Sequence, residues 1–331
     1  MHSSNLQSTQ ETASLAESTA VVFDQPGSLS LRTLQLPEPG PGEVLIDVNW
    51  SGISTGTERL LWTGDMPPFP GLAYPLVPGY ESVGTVRRAG ADCALKEGQT
   101  VFVPGANCYG EVRGLFGGTS SCLVTPEARI RPINDTLGQN AALLALTATA
   151  YHALKANPDG ILPGLIIGHG VLGRLLARLV IALGGDAPIV WELNPQRRDG
   201  AKGYRVTEPG VADTGPYASI VDASGADGIV DQLVPHLAPR GEVVLAGFYS
   251  QPVSFAFPLA FMKEARLRIA AEWNPDDFDE VCAMAQADPT LLEGLVTHSL
   301  PADRASEAYT TAFEDPDCLK MIIDWKGASP Q

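Results

Sequence analysis

The fold is indicated first by one stretch of the chain, Leu165-Ile166-Ile167-Gly168-His169-Gly170-Val171-Leu172-Gly173. Its three leading apolar residues predict a short buried strand, and its Gly-x-Gly-x-x-Gly pattern predicts a tight turn. Residues 174–183 then predict a helix. In such a unit the glycines let a pyrophosphate approach the backbone, and the N–H groups that open the helix bind it. The stretch therefore predicts a dinucleotide-binding turn, with contacts to the cofactor at each residue from Gly168 to Gly173.

A second predicted strand, residues 189–191, ends at Glu192. A carboxylate at that point can accept both hydroxyls of an adenosine ribose and repels a 2′-phosphate, which favours NAD over NADP. Arg197, a further candidate cofactor contact, and Arg198 leave NADP open. The alternatives are a Gly-rich turn in an unrelated α/β sheet and, for Glu192, a solvated carboxylate.

Strands and helices continue to alternate after this stretch. The segments with strand or helix patterns are 219–221, 228–237, 242–246, 258–264 and 266–270. This alternation predicts a doubly wound parallel sheet over residues 156–288. Ligands of such sheets bind at the carboxyl ends of strands, so we expect Ala223, Ser224, Gly247 and Phe248 to line the nicotinamide half of the site. Ordinary strand-to-helix turns are the alternative.

The N-terminal half has another pattern, in which short β-like runs are separated by glycine and proline. It predicts a strand-rich barrel domain over residues 20–155, ending in an Ala- and Leu-rich helix at 140–154. After residue 288 the chain returns to a strand, a helix and a closing strand at 321–324, so we expect residues 289–331 to rejoin the first domain. Residues 1–19 contain no Lys or Arg and no apolar run, and they predict a disordered tail rather than a secretory signal.

Composition excludes several classes of protein. The 331 residues include 38 acidic and 22 basic side chains, and the net charge of −16 repels nucleic acid. With 44% hydrophobic residues, the chain is not intrinsically disordered. Its five cysteines form no CxxC motif, which is typical of reduced thiols in the cytoplasm. The most apolar window, 161–183, is interrupted by charged residues and is not a membrane helix.

Several motifs match one known superfamily. They are Pro39-Gly40-Pro41-Gly42-Glu43-Val44-Leu45, Ser51-Gly52-Ile53, Pro78-Gly79-Tyr80-Glu81, Thr149-Ala150-Tyr151-His152-Ala153-Leu154 and the turn at Gly168. Over about residues 20–327 the chain resembles the medium-chain dehydrogenase/reductase superfamily. The resemblance implies a GroES-like catalytic domain beside a Rossmann domain, an active site in the cleft between them, a cofactor contact at Thr149 and a homodimer.

The chain departs from the zinc-dependent members of this superfamily at the ligand positions. Where those members have a Cys, a His and a third Cys or Glu, this chain has Ser54 or Thr55, Tyr80 and Ala145. Hydroxyl groups are poor zinc ligands, and alanine is none. Only Cys108 and Cys122 lie where a structural zinc lobe would need four cysteines. The resemblance therefore implies a member without a metal.

Two long stretches are similar to one branch of the superfamily, the bacteriochlorophyllide dehydrogenases. They are residues 52–64 and residues 69–84. This similarity implies NAD-dependent oxidation of a 3-(1-hydroxyethyl) group to 3-acetyl, giving bacteriochlorophyllide a, in bacteriochlorophyll biosynthesis. It also implies a Mg-tetrapyrrole substrate, a cytoplasmic enzyme peripheral to the photosynthetic membrane, and docking to neighbouring pathway enzymes. A zinc-free quinone, enone or small alcohol–aldehyde oxidoreductase using NAD(P)H, and a non-catalytic tetrapyrrole-binding module, stay open.

Without zinc, oxidation of an alcohol needs a positioned base or a hydrogen-bond relay for the hydroxyl proton. The candidate catalytic residues are Tyr80, Glu81, Thr57, Ser54 and His152. Tyr80 either bonds the substrate oxygen or fills the vacated ligand space. Glu81 is an orienting group or a structural ion-pair partner, and His152 is a proton shuttle or an interhelical histidine.

A bacteriochlorin is wide, flat and apolar, and it carries a propionate. The candidate substrate contacts are therefore aromatic, with one cation: Trp62, Tyr74, Tyr109, Phe116, Tyr249 and Arg59. Core packing is the alternative for each aromatic residue.

Overall fold

The computed structural model describes residues 16–68, 70–155, 159–211, 215–249 and 251–327. Within these ranges the strands are β1 (Glu17–Gln25), β2 (Ser28–Gln35), β3 (Glu43–Gly52), β4 (Leu76–Val77), β5 (Ser82–Ala89), β6 (Thr100–Val103), β7 (Arg113–Gly114), β8 (Cys122–Pro126), β9 (Arg131–Pro132), β10 (Leu165–Ile167), β11 (Ile189–Trp191), β12 (Arg205–Thr207), β13 (Tyr217–Asp222), β14 (Leu237–Leu245), β15 (Arg266–Ile269), β16 (His298–Pro301) and β17 (Met321–Asp324). The α-helices are α1 (Thr57–Thr63), α2 (Leu144–Lys155), α3 (Val171–Ala182), α4 (Ile229–Leu233), α5 (Phe257–Met262), α6 (Pro275–Ala287) and α7 (Ala305–Glu314).

The second half of the chain forms a six-stranded sheet in the order β12-β11-β10-β13-β14-β15. Every pairing in it is parallel. The chain runs outward from β10 to β12 and then returns to β13 on the other side of β10. This reversal opens a crevice at the carboxyl ends of β10 and β13, where dinucleotides bind in Rossmann folds. The prediction of a doubly wound parallel sheet is confirmed.

The first half forms two sheets. One has the order β2-β1-β4-β7, and the other has the order β16-β17-β3-β5-β6-β9, with β8 also paired to β3. β17 pairs antiparallel with β3, so the C-terminal segment lies in a sheet of the first domain. Val44, Leu45, Ile46 and Val48 of β3 are buried in the core, which fixes this sheet against the rest of the domain.

Two of the differences from the predicted boundaries have a clear structural cause. β1 begins at Glu17, three residues before the predicted start at Ala20, because the buried Ser18 hydroxyl donates to the Cys122 carbonyl at 2.6 Å. Residues 1–15 of the predicted tail lie outside the described residues. The helix predicted at 228–237 is α4 followed by a short 3₁₀ turn that contains Pro235, since proline lacks the amide that an α-helix needs.

The two halves meet through α2 and α6. Phe102 of β6 packs on Phe278 of α6 with ring centroids 4.8 Å apart, and Trp273 packs on the same ring at 4.9 Å. A 3₁₀ segment, Asp135–Leu143, leads into α2, which lies against both α3 and α6. In the part of the chain that the structure describes, no helix has the length and apolar character needed to cross a membrane.

Candidate active site

The Gly-rich turn joins the end of β10 to the start of α3, and its three glycines meet three different requirements. Gly168 has a φ of +93°, which favours glycine. A Cβ on Gly173 would lie 1.8 Å from the Gly168 carbonyl oxygen, so the helix approaches the turn too closely for any side chain there. A Cβ on Gly170 would have no atom within 4 Å. The open space beside Gly170 lies at the start of α3, so the turn leaves room for a pyrophosphate group there.

The start of α3 supports the same assignment. Gly170 is its N-cap and provides no side-chain hydrogen bond. The amides of Val171, Leu172 and Gly173 lie in the first turn, where α-helical N–H groups have no partner within the helix. Free amides at the positive end of a helix dipole bind anions.

Glu192 lies beside this turn, directly after β11. The Gly168 amide donates to the Trp191 carbonyl at 2.8 Å, which holds the turn against the end of β11. The Glu192 carboxylate accepts from the His169 amide and from the Asn194 amide, each at 2.8 Å. The candidate ribose ligand is therefore fixed to the same turn that fits the pyrophosphate.

Both arginines that left NADP open have protein partners. Arg197 donates from Nε to the Pro316 carbonyl at 3.2 Å. Arg198 donates from Nε to the Glu192 carbonyl at 2.9 Å and lies 3.3 Å from the Glu208 carboxylate. Their guanidinium groups are thus directed to carbonyl and carboxylate oxygens of the protein.

The carboxyl ends of β13 and β14 meet the other side of the turn. A Cβ on Gly168 would lie 3.4 Å from the Ser224 backbone, and one on Gly247 would lie 3.1 Å from the Gly225 amide. Ala223 donates its amide to the Ile167 carbonyl at 2.9 Å. The structure thus brings three predicted nicotinamide contacts (Ala223, Ser224 and Gly247) together with the Gly-rich turn. Phe248 follows them and is 47% exposed.

Asp222, the last residue of β13, holds the loop that follows this strand, and no sequence motif pointed to it. Its fully buried carboxylate accepts from the Ser224 hydroxyl at 2.6 Å, from the Gly225 amide at 3.2 Å, and from the Tyr249 hydroxyl. Burial and this carboxylate raise the pKa of the Tyr249 phenol. The sequence signal that could have identified Asp222 is its position, since it is a carboxylate at the end of an apolar strand. Tyr249, a predicted substrate contact, is bound to this loop.

In the first domain, Ser54 and Tyr80, which the resemblance matched to positions of zinc ligands, bond each other. Their hydroxyl oxygens are 2.8 Å apart, and the Thr57 amide donates to the Ser54 hydroxyl at 3.3 Å. Phe116 packs edge-on against the Tyr80 ring, with centroids 5.4 Å apart. Three of the predicted catalytic residues and one predicted substrate contact therefore form one cluster.

A buried ion pair lies next to this cluster. Lys320 and Glu81 are 2% and 0% exposed, and Lys320 Nζ lies 2.5 Å from Glu81 Oε2. Lys320 also donates to the Ile53 carbonyl at 3.0 Å, directly before Ser54. Glu81 therefore takes part in a structural ion pair, which is one of the two roles expected for it from the sequence. Lys320 was not selected from the sequence, although it is a lone charge beside the apolar strand β17.

A second buried carboxylate, Glu58, bonds the same stretch of backbone, at Ser54. Glu58 Oε1 accepts from the Ser54 amide at 3.0 Å, and Oε2 accepts from the Tyr309 hydroxyl at 2.6 Å. Complete burial raises the pKa of Glu58 to about 7. Burial also raises the pKa of the Tyr80 phenol, and the neighbouring Glu81 charge adds to that effect.

The donor set at the former metal position does not fit zinc. Ser54 and Tyr80 offer hydroxyl oxygens that already bond each other, and Ala145 offers a buried methyl group. Zinc in proteins is bound by thiolate, imidazole or carboxylate. Among the described residues, no group of three or more His, Cys, Asp or Glu side chains is placed to hold a metal ion.

Other predicted site residues have structural partners. Tyr109 is only 3% exposed and donates to the Gly117 carbonyl at 2.6 Å, so it is a core residue rather than a lining residue. The His169 ring is completely buried and both its nitrogens bond protein atoms, so a contact of His169 with the cofactor stays a prediction for its backbone rather than for its ring. His152 Nδ1 lies 2.7 Å from Asp277 of α6, which makes it the interhelical histidine.

The remaining candidates have no described bond to the cluster. Trp62 packs on Phe23 at 5.5 Å, and the Tyr74 hydroxyl donates to the Leu61 carbonyl. Arg59 is exposed on α1. The Thr149 hydroxyl donates to the Ala145 carbonyl within α2 at 3.0 Å.

Comparisons with known proteins agree with this geometry. The Alcohol dehydrogenase GroES-like domain family matches residues 40–135. The chain is 56% identical over 313 residues to the 2-desacetyl-2-hydroxyethyl bacteriochlorophyllide A dehydrogenase of Rhodobacter capsulatus, covering 94% of this chain and 99% of the relative. It is 54% identical over 316 residues to the enzyme of the same name from Cereibacter sphaeroides, with the same coverage.

Solved structures share the fold at lower identity. The 2R,3R-butanediol dehydrogenase of Bacillus subtilis superposes with a TM-score of 0.80 at 20% identity, covering 93% of this chain and 99% of that one. An Escherichia coli alcohol dehydrogenase solved with NADH gives 0.79 with the same identity and coverage. The near-complete match to the two relatives shows that the chain belongs to the family of the 2-desacetyl-2-hydroxyethyl bacteriochlorophyllide A dehydrogenases, within the medium-chain dehydrogenase/reductase superfamily.

Proposed function

We propose that this chain oxidises the 3-(1-hydroxyethyl) group of a bacteriochlorophyllide to a 3-acetyl group with NAD, in bacteriochlorophyll biosynthesis. The observation that carries this proposal is the 56% identity over 94% of the chain to a protein named for a hydroxyethyl bacteriochlorophyllide. The match covers 94% of this chain and 99% of the relative, so it extends over both domains. A substrate of this kind needs a dinucleotide site, a route for one proton and an apolar cleft.

The cofactor assignment rests on the Gly-rich turn and Glu192. Gly168, Gly170 and Gly173 would hold the pyrophosphate, and the Glu192 carboxylate would accept the ribose hydroxyls. A 2′-phosphate would meet that carboxylate, while both nearby arginines already bond protein oxygens. When NAD is bound, its nicotinamide ring supplies the acceptor for the hydride of the carbinol carbon.

The hydroxyl proton of the substrate would leave through the Tyr80 cluster. Because the pKa of Tyr80 is raised, its phenol stays protonated near neutral pH and does not act as a free phenolate base. A neutral phenol can still accept the substrate proton while it passes its own to Ser54, which bonds it. Ser54 in turn would pass its hydroxyl proton to solvent water, which takes up the proton that the overall reaction releases. This relay moves one proton without placing a charge on Tyr80. The aromatic edge of Phe116 would line the cleft beside it, and Trp62, Tyr74, Tyr249 and Arg59 remain proposed substrate contacts.

We also propose a homodimer formed through the edge of the parallel sheet. β15 is the outermost strand, and unpaired edge strands of this kind are normally covered. Large apolar side chains are exposed along this strand and the helix before it: Phe255, Phe257, Leu259, Phe261, Met262, Leu267 and Ile269. Exposed apolar surface of this extent marks an interaction site, and the same surface on a second copy matches it in character.

The reaction is tested with purified protein that has been treated with EDTA and dialysed. Incubation with NAD and 3-hydroxyethyl bacteriochlorophyllide is expected to shift the long-wavelength absorption band of the pigment and to form one NADH per pigment. A reaction that occurs only with NADPH on a quinone or enone, or pigment binding with no NADH formed in a full time course, would contradict the proposal.

Replacing Tyr80 with Phe removes the hydroxyl at the centre of the relay. We expect kcat to fall about 100-fold while the KM for NAD stays within about twofold, since general acid–base contributions are of this size. Steady-state kinetics measure both. Tyr109→Phe is the matched control, because it removes a phenol that faces the core of the same domain, and it should retain kcat. A Tyr80→Phe enzyme with wild-type kcat would show that the proton leaves by another route.

Replacing Glu58 with Gln changes how stability depends on pH. The folded-state pKa of about 7 exceeds the ordinary value of 4.5, so the folded protein holds this proton more tightly than the unfolded chain does. The resulting stabilisation is complete below pH 4.5 and is lost as the pH rises through 7. Between pH 5 and pH 8 we expect the wild type to lose roughly 1 to 3 kcal/mol more than Glu58→Gln.

Urea unfolding at several pH values measures this difference. The exposed Glu97→Gln is the control and should follow the wild type. Parallel pH curves for the wild type and Glu58→Gln would show that the proton of Glu58 does not contribute.

The dimer is tested by light scattering after gel filtration. The wild type should have twice the mass of one chain. Ile269→Lys should reduce the measured mass to that of one chain, because two positive charges would then meet at the paired edges. Leu31→Lys, at an exposed apolar position of β2, is the control and should remain dimeric. A monomeric wild type that binds lipid vesicles would instead assign this surface to the membrane.

A further inference from the structure

The His169 ring lies inside the Gly-rich turn, yet it has no part in the function proposed above. It is completely buried, and its ring plane stands edge-on to Tyr204 with centroids 5.5 Å apart. A buried polar ring is stable only if both nitrogens are satisfied, and here both are. The question is what those bonds hold in place.

The partners fix the state of the ring. A carbonyl oxygen only accepts, so His169 Nδ1 donates its proton to the Arg197 carbonyl at 2.6 Å. Nε2 then carries no proton and accepts from the Tyr204 hydroxyl at 2.8 Å. Burial lowers the pKa of His169 to about 4, which agrees with a neutral ring. A neutral imidazole is a side chain that offers a donor and an acceptor on opposite edges of one rigid plane.

These bonds anchor the loop that follows β11. The His169 backbone amide donates to the Glu192 carboxylate at the start of that loop, and its ring donates to Arg197 within it. Arg174, on α3, adds bonds to the His169 carbonyl and to three carbonyls of the loop, those of Arg197, Asp199 and Gly200. The Gly-rich turn and the loop with the ribose carboxylate are therefore joined at both ends of the loop.

We propose that His169 is a positioning residue that holds the Glu192 loop against the Gly-rich turn and thereby sets the preference for NAD over NADP. This inference rests on the cofactor assigned under the proposed function. Glu192 discriminates between the two cofactors only if its carboxylate stays where the ribose 2′ position is bound. Without the bond to the Arg197 carbonyl, that loop gains freedom to move the carboxylate away, so NADH loses a ligand and NADPH loses a repulsive neighbour.

The test measures dissociation constants for NADH and NADPH by fluorescence titration of the purified full-length protein. In His169→Leu we expect the dissociation constant for NADH to rise about tenfold and that for NADPH to stay within about twofold, as loss of one buried polar bond would give. The preference for NADH should therefore fall about fivefold or more. His169→Asn retains a donor near Nδ1 and should restore most of the preference. Tyr109→Phe removes a buried hydrogen bond in the first domain, outside this network, and should leave the preference unchanged.

The outcomes separate the two proposals. A wild type without a preference for NADH would overturn the cofactor assignment and this inference together. A wild type with that preference and a folded His169→Leu that keeps it would overturn only the role of His169, as would two constants that rise by the same factor. If His169→Leu does not fold, Tyr204→Phe replaces it, because it removes the donor to Nε2. The preference of Tyr204→Phe for NADH over NADPH is expected to fall, and an unchanged preference in this variant would overturn the inference.

Discussion

The active-site half of this protein depends on one buried ion pair, between Lys320 and Glu81. Both side chains are almost completely buried, and removing either would leave an uncompensated charge in the core, which costs about 3–5 kcal/mol in typical proteins. Lys320 also holds the Ile53 carbonyl, which fixes the backbone that presents Ser54. The pair therefore fixes the C-terminal segment, the end of β3 and the hydroxyl cluster relative to one another. The candidate site can form only if the C-terminal segment returns to the first domain, because that segment carries Lys320.

Local signals were enough to predict most of the fold from the sequence. Three strands, β10, β11 and β17, have the predicted bounds, because each is a short apolar run that turn residues or charged residues delimit. The Gly-rich turn could be predicted for the same reason, since the roles of its glycines lie within nine consecutive residues. The start of β1 could not, because it depends on a bond from Ser18 to Cys122, a partner more than one hundred residues away.

The candidate site was predicted less completely, since its polar groups are paired over long distances. Glu81 and Lys320 are 239 positions apart, and Glu58 and Tyr309 are 251 apart. Sequence patterns identify a histidine in a Gly-rich turn but do not show whether its ring points to a ligand or to the core. The ring of His169 is buried because its second nitrogen finds Tyr204, a residue with no local signal.

The two halves of the site are also joined through the segment before β17. Arg197, in the ribose loop, donates to the Pro316 carbonyl, and the same short segment continues to Lys320. That segment is itself fixed, since the Cys318 amide donates to the Asp315 carbonyl and the Leu319 amide donates to the Thr297 hydroxyl. A shift of the ribose loop is thus opposed by the backbone that carries Lys320. Because a dehydrogenase must hold its cofactor and the reacting alcohol at a fixed separation, a single rigid segment bonded to both sides meets that need with few residues.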